Sequence, residues 1–222
     1  MNQLPLALSD LRPPNFEQFW PGANALALAR MQALALSPGS GHVMIGGAAS
    51  SGKTHLLLAT CEAARQAGHG VAYLPLARVE ADALTEPVDA DLVAVDDIDR
   101  ALADPLLAQW LFAQINRQHD RSRALLLAGR GSAADAVLPD LASRLALAEA
   151  IPLSLPDDAS RKAILLHRAE CAGIPLDSAA AEYLLRHHAR DLRSLLTRLS
   201  ELDREALARG RRITVPLLRE IS

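Results

Sequence analysis

Aromatic side chains are scarce in this chain, with three Phe, two Tyr and two Trp among 222 residues. Half of the residues are apolar all the same, so a core must be packed from Ala, Leu and Val. Long hydrophobic runs are missing as well: no stretch approaches the roughly 18 apolar residues of a membrane span. The first basic residue is Arg12, so the N-terminus lacks the charged n-region of a secretory signal. Cys61 and Cys171 are the two cysteines, without metal spacing or a disulfide framework, and are expected as buried free thiols in a reducing compartment. His187 and His188 are adjacent, which on a helix turns them about 100° apart, and they read as a solvated pair rather than a metal site. A net charge of −3 gives no global attraction to nucleic acid. Residues 1–156 carry 11 basic and 16 acidic side chains and residues 157–222 carry 12 and 10, too small a difference to mark a DNA-binding face. These absences point to a cytoplasmic, globular protein with no membrane partner.

Lysine is rarer still than the aromatics: of 23 Lys plus Arg, only Lys53 and Lys162 are lysine. The aromatics are also unevenly spread, with Phe16, Phe19 and Trp20 falling within five residues.

Residues 1–22 are Pro-rich and read as extended chain and turns. A helical pattern covers about Ala23 to Ala35 and stops at Ser37-Pro38-Gly39-Ser40-Gly41. Strand-length apolar runs at His42–Ile45, Gly70–Leu76, Asp91–Asp96, Ala124–Ala128 and Ile151–Leu155 then alternate with helical stretches at Lys53–Gln66 and Pro105–Gln118. Fully apolar strands alternating with helices predict a parallel sheet covered on both faces. After Pro156 the strand pattern ends. Asp157 or Asp158 can cap a helix to about Ala172, and further helices are predicted near Ser178–His188, Asp191–Arg209 and Val215–Ile221. The expected organisation is an extended segment over 1–22, an α/β domain over 23–156 and a small all-helical domain over 157–222.

Gly47-Ala48-Ala49-Ser50-Ser51-Gly52-Lys53-Thr54 meets the G-x-x-x-x-G-K-[ST] pattern in full, between a strand and a helix. Gly47 and Gly52 let backbone N–H groups curl around phosphate oxygens, and the helix N-terminus adds partial positive charge. Lys53 is then placed for the β- and γ-phosphates of ADP or ATP, and the Thr54 hydroxyl for Mg²⁺. A second signal is Asp91-Leu92-Val93-Ala94-Val95-Asp96-Asp97, an apolar strand ending in two carboxylates 43 residues after Lys53. Asp96 is the candidate Mg²⁺ holder, and Asp97 the group that orients or deprotonates an attacking water.

This combination resembles the AAA+ ATPases, in which a P-loop domain carries a helical lid. It is more closely similar to the DnaA-related group, and within it to the Hda family, the regulatory inactivators of DnaA. The resemblance runs through Gln3–Leu8, Phe16-Glu17-Gln18-Phe19-Trp20-Pro21-Gly22, Gly47–Leu57, Leu138-Pro139-Asp140-Leu141-Ala142-Ser143-Arg144-Leu145, and the tail from Arg193 to Ile221. It implies that Arg144 is an arginine finger acting in trans on ATP held by DnaA, and that Arg193 is a sensor arginine for the nucleotide phosphates. It further implies that Gln3, Leu4, Leu6 and Leu8 dock on the sliding clamp of the replicative polymerase, with DNA reached only through the clamp. Phe16, Phe19 and Trp20 are implied to line a base pocket, the alternative being a hydrophobic staple on the first helix. One position departs from the family. Ala128-Gly129-Arg130-Gly131-Ser132 stands where Thr/Ser-Gly/Ser-Asp is usual, so a cation replaces a carboxylate. Weak or no ATP hydrolysis in the chain's own site is therefore expected.

The resulting expectation is a clamp-tethered AAA+ regulator that stimulates hydrolysis of DnaA-bound ATP and so inhibits re-initiation of replication. Because AAA+ domains usually assemble, a homodimer is also expected. Two competing classes are a P-loop kinase acting on a small molecule and a DnaA-like or helicase-loader ATPase acting directly on DNA. The Asp-Asp strand end and the helical tail argue against the first, and the net charge of −3 against the second.

Overall fold

A computed structural model describes residues 14–187 and 191–221. Gln3, Leu4, Leu6, Leu8 and His188 lie outside the described residues. The described chain forms two compact units, one over residues 14–16 and 23–155, the other over residues 17–22 and 156–221.

The first unit is built on five parallel strands: β1 (His42–Gly46), β2 (Val71–Pro75), β3 (Leu92–Asp96), β4 (Ala124–Gly129) and β5 (Glu149–Pro152). They lie side by side in the order β2-β3-β4-β1-β5. The two strands deepest in that order, β3 and β4, are buried along their whole length, which is why their sequences are apolar without alternation. The edge strands differ from the expectation of full cover. Every residue of β2 is half-buried, and β5 is mostly exposed. The last strand also sits earlier than Ile151–Leu155, because the pairing to β1 begins at Glu149 and an edge strand needs no apolar run.

Helices α1 (Ala25–Leu36), α2 (Lys53–Gln66), α3 (Asp99–Ala103), α4 (Pro105–Asp120) and α5 (Pro139–Leu145) pack around this sheet. Two of them, α3 and α5, have no counterpart among the helices expected from sequence, being too short to show a helical period. The Asp104 side chain accepts hydrogen bonds from the Leu106 and Leu107 N–H groups, and Pro105 takes the first helical position, so α4 starts sharply. Two fully buried glutamines of α4 face the connection between β2 and β3. Gln114 pairs with both backbone groups of Val88, and Gln118 donates to the Ala90 and Ala124 carbonyls. Trp110 adds a bond to Glu86 O at 3.0 Å. A segment with little regular structure is thereby given partners for its backbone.

The second unit holds α6 (Asp158–Cys171), α7 (Ser178–His187), α8 (Leu192–Ala208) and α9 (Val215–Glu220). Asp157 and Asp191 cap α6 and α8 by accepting from the Ser160 and Ser194 N–H groups. Leu195, Leu199, Leu202 and Ala206 are buried at helical spacing on α8, and the last three pack with Leu165, Leu184 and Leu217 in one core. Cys61 is buried on α2, and burial pushes its thiol up to about 12. Cys171, in contrast, is exposed at the end of α6, where the helix face turns outward, correcting its expected burial. His187 stacks against Tyr183 with ring centroids 4.2 Å apart. Among the described residues no helix is long and apolar enough to cross a membrane.

Candidate functional site

Parallel strands present all their C-terminal ends at one edge of the sheet. The order β3-β4-β1 therefore lines up three loops there: the one after Asp96, the one after Gly129 and the Gly47–Gly52 loop. The Gly47–Gly52 loop leaves β1 at Gly46, which pairs with Gly129 of β4 and Pro152 of β5. A Cβ on Gly47 would lie 2.8 Å from Leu153 O and 2.9 Å from Ser51 Oγ, so only glycine fits there. Gly52 caps α2 with φ 99°, a left-handed conformation that glycine adopts without penalty. Ser51 Oγ is buried with no hydrogen-bond partner in the described structure. The Lys53 ammonium donates to Gly47 O at 2.7 Å and Ala48 O at 2.8 Å, closing the loop on itself. Burial lowers the proton affinity of Lys53, while Asp99, Asp96 and Asp97 act in the opposite sense. Thr54, half-buried, occupies the next position of the helix.

Asp96 ends β3 and is buried. Its Oδ1 accepts from Asp97 N at 3.0 Å and its Oδ2 from the Tyr73 hydroxyl at 3.3 Å. Burial and the Asp96 carboxylate push the Tyr73 phenol up to about 12. Asp97 is exposed and left-handed at φ 56°, a conformation that costs a non-glycine residue on the order of 1–2 kcal/mol. Burial, then the neighbouring Asp96 and Asp99 charges, raise its carboxyl above the ordinary range. Such strain and charge crowding are characteristic of functional positions.

Sequence reasoning passed over Asp99, the third carboxylate of Asp96-Asp97-Ile98-Asp99. Its oxygens accept from the Arg130 N–H at 3.0 and 3.1 Å and from the Gly131 N–H at 2.8 Å, tying α3 to the loop after β4. The only signal for it was an acidic residue just past the Asp-Asp pair. Arg130 Nε lies 3.7 Å from Asp99 Oδ2.

The edge thus offers one lysine, turn glycines that expose backbone N–H groups, a helix start and two oxygen ligands, Thr54 and Asp96. This donor set fits a nucleoside polyphosphate with Mg²⁺, since Mg²⁺ characteristically takes one or two protein oxygens beside phosphate oxygens and water. Among the described residues no group of three or more His, Cys, Asp or Glu is placed to hold a metal by itself.

Arg144 is elsewhere. It lies half-buried in the last turn of α5, between the core residues Leu141 and Leu145. Its charge is felt by His42, the first residue of β1, whose pKa is lowered by burial, then by His119 and Arg144. Arg193 is exposed in the first turn of α8. Phe16, Phe19 and Trp20 are not gathered in one unit. Phe16 groups with the sheet unit, whereas Phe19 and Trp20 group with the helical one, where Trp20 meets the His167 ring at 5.5 Å.

A parallel sheet of this order with a glycine-rich loop after its first strand, followed along the chain by a helical unit, defines the AAA+ fold. The solved structure of domain III of the Thermotoga maritima replication initiation protein DnaA is similar over 99% of this chain and 98% of its own, at 20% identity and a TM-score of 0.76. AMPPCP-bound DnaA from Aquifex aeolicus is similar over 82% of this chain and 62% of its own, at 23% identity and a TM-score of 0.70. The Thermotoga maritima RuvB Holliday junction branch migration motor shares the fold at 16% identity, over 93% of this chain and 72% of its own, with a TM-score of 0.61. Residues 158–221 match the family model of the Hda lid domain. The chain thus has the fold of DnaA domain III, and its last helices are similar to the Hda lid domain.

Proposed function

We propose that this protein is a cytoplasmic regulator that holds ADP or ATP with Mg²⁺ at the Gly47–Thr54 loop and stimulates hydrolysis of ATP bound to DnaA, so limiting re-initiation of replication. Gln3, Leu4, Leu6 and Leu8 tether it to the sliding clamp, and through the clamp to DNA. Arg193 is its sensor for the bound phosphates, and the protein self-associates as a homodimer.

The observation that carries this reading is the separation of Arg144 from the loop. Arg144 is electrostatically coupled to the start of β1, whereas the Gly47–Gly52 loop follows its end. A strand of five residues spans about 13 Å at 3.3 Å per step, beyond the contact that phosphoryl stabilisation requires. A guanidinium at that end is suited to a nucleotide on another subunit. Among the described residues no carboxylate forms an ion pair with Arg144, although Arg117, Arg121 and Arg123 at the same end of the sheet all pair with Asp89.

The test is an ATPase assay on ATP-loaded DnaA with clamp on DNA, comparing the unaltered protein with Arg144→Ala. Stimulation should be lost in the variant. Equal stimulation by both would refute the finger assignment.

A further inference from the structure

Tyr73 is one of two tyrosines in the chain and sits on β2, the edge strand beside β3. The parallel register sets Tyr73 against Ala94 and Pro75 against Asp96. Side chains two residues apart on a strand share a face, so Tyr73 and Asp96 are diagonal neighbours on one face of the sheet. A diagonal of that kind is within reach of an aromatic side chain, and the Tyr73 hydroxyl meets Asp96 Oδ2 at 3.3 Å.

A phenol keeps its proton at neutral pH, so toward a carboxylate this hydroxyl donates. Asp96 is 2% exposed and takes one donor on each oxygen, the Asp97 N–H on Oδ1 at 3.0 Å and Tyr73 on Oδ2. The first donor belongs to the adjoining residue of the same chain segment. The second comes from another strand, and it ties the plane of the carboxylate to the sheet. An ionised carboxylate has about four lone-pair positions, so one on each oxygen is left for a water or a cation. A carboxylate held in this way gives up less freedom when it is engaged. Packing on a half-buried edge strand would be served equally by Phe, and what the hydroxyl adds is the bond to Asp96.

We propose that Tyr73 is a positioning residue of this chain's own site, its hydroxyl orienting the Asp96 carboxylate for the divalent cation that accompanies a bound nucleotide. This rests on the nucleotide-binding reading above. Tyr73 acts through Asp96 and not on the phosphates. Hydrogen-bond partners of a ligating group typically account for about 10–100-fold in metal affinity.

The test is the Mg²⁺ requirement of ATP binding by the full chain. It is read by displacement of a fluorescent nucleotide, as the Mg²⁺ concentration that gives half of the gain in ATP affinity, in the unaltered protein, Tyr73→Phe, Asp96→Asn and the double variant. Tyr73→Phe should raise that concentration roughly tenfold. Asp96→Asn should flatten the Mg²⁺ dependence, and in the double variant Tyr73→Phe should add nothing, because its effect passes through that carboxylate. An unchanged or lowered Mg²⁺ requirement in Tyr73→Phe would overturn the proposal, as would an equal loss of ATP affinity with Mg²⁺ and in its absence, the mark of a packing role alone. In either case ATP binding by the unaltered protein would leave the nucleotide-binding reading standing. Failure of the unaltered protein to bind ATP at any Mg²⁺ concentration would overturn both.

Discussion

The two edges of the sheet carry charge in opposite ways. At the edge where the strands end, Lys53, Asp96, Asp97, Asp99 and Arg130 lie together: burial lowers the proton affinity of Lys53 against the pull of the carboxylates, and burial, then Asp96 and Asp99, raise that of Asp97. At the edge where the strands begin, charge is mostly neutralised in place. Asp89 receives Arg117, Arg121 and Arg123, the hydrogen bond from Arg121 holds its carboxyl below the ordinary range, and Asp91 accepts from Gly70 N at 2.8 Å. Exposed pairs of that kind add little stability, typically about 0–1 kcal/mol. The difference separates a crowded edge, where Arg130 and Asp99 form one long ion pair, from a settled one. On the settled edge Arg144 stands out as a cation without an ion pair among the described residues.

If that division is right, changes at the two edges should have separable effects. The largest is expected at the beginning edge: Arg144→Ala should cost roughly 10³-fold or more in stimulated hydrolysis on DnaA, the scale of an arginine finger. At the ending edge, Lys53→Ala should weaken binding of ATP and ADP by about 100-fold, as removal of a charged phosphate contact together with loop closure would. Fluorescent-nucleotide titration measures that loss. A nucleotide affinity that survives Lys53→Ala would break the comparison at its stronger side.

Smaller effects concern stability. Asp97 is charged at neutral pH in a place that disfavours charge, so Asp97→Asn should raise Tm at pH 7, on the order of 1 °C after solvent screening. Its folded pKa lies above the unfolded value, so the charged form penalises the fold above the folded pKa. As pH falls toward 3.8 the penalty is relieved, and the difference between variant and parent should vanish. Asn also tolerates the left-handed backbone there. The opposite slope is expected at the other edge. His42 has a folded pKa below 6.5, so the unfolded chain takes up a proton that the folded chain refuses. Stability should drop slightly as pH falls through 6.5 toward the folded pKa, and His42→Gln should flatten that drop in thermal melts between pH 7.5 and pH 5.5.

Much of the geometry of the ending edge was legible in the sequence because it is enforced locally. Gly47, Gly52 and Lys53 sit at spacings that a single loop dictates, and Asp96-Asp97 closes an apolar strand that must be buried. Asp99 was not legible, because its task is to hold the backbone of Arg130 and Gly131, 31 and 32 residues away, and nothing in its neighbourhood announces that contact. The short helices α3 and α5 escaped for a related reason. Five and seven residues give too little periodicity, although Pro139 at the first turn of α5 was a usable start signal. The aromatic segment divides between units. The Gln18 side chain accepts from Arg168 and the Glu17 carbonyl from His167, so Glu17 and Gln18 are tied to α6, while Asn15 O accepts from His55 of α2. The chain thus changes partners between Phe16 and Glu17.

The most direct measurement pairs two readouts on one variant: nucleotide affinity of Arg144→Ala itself, and the rate at which it drives hydrolysis on ATP-loaded DnaA with clamp on DNA. The division between edges predicts unaltered affinity with stimulation abolished. Loss of nucleotide binding in that variant, or undiminished stimulation, would contradict it.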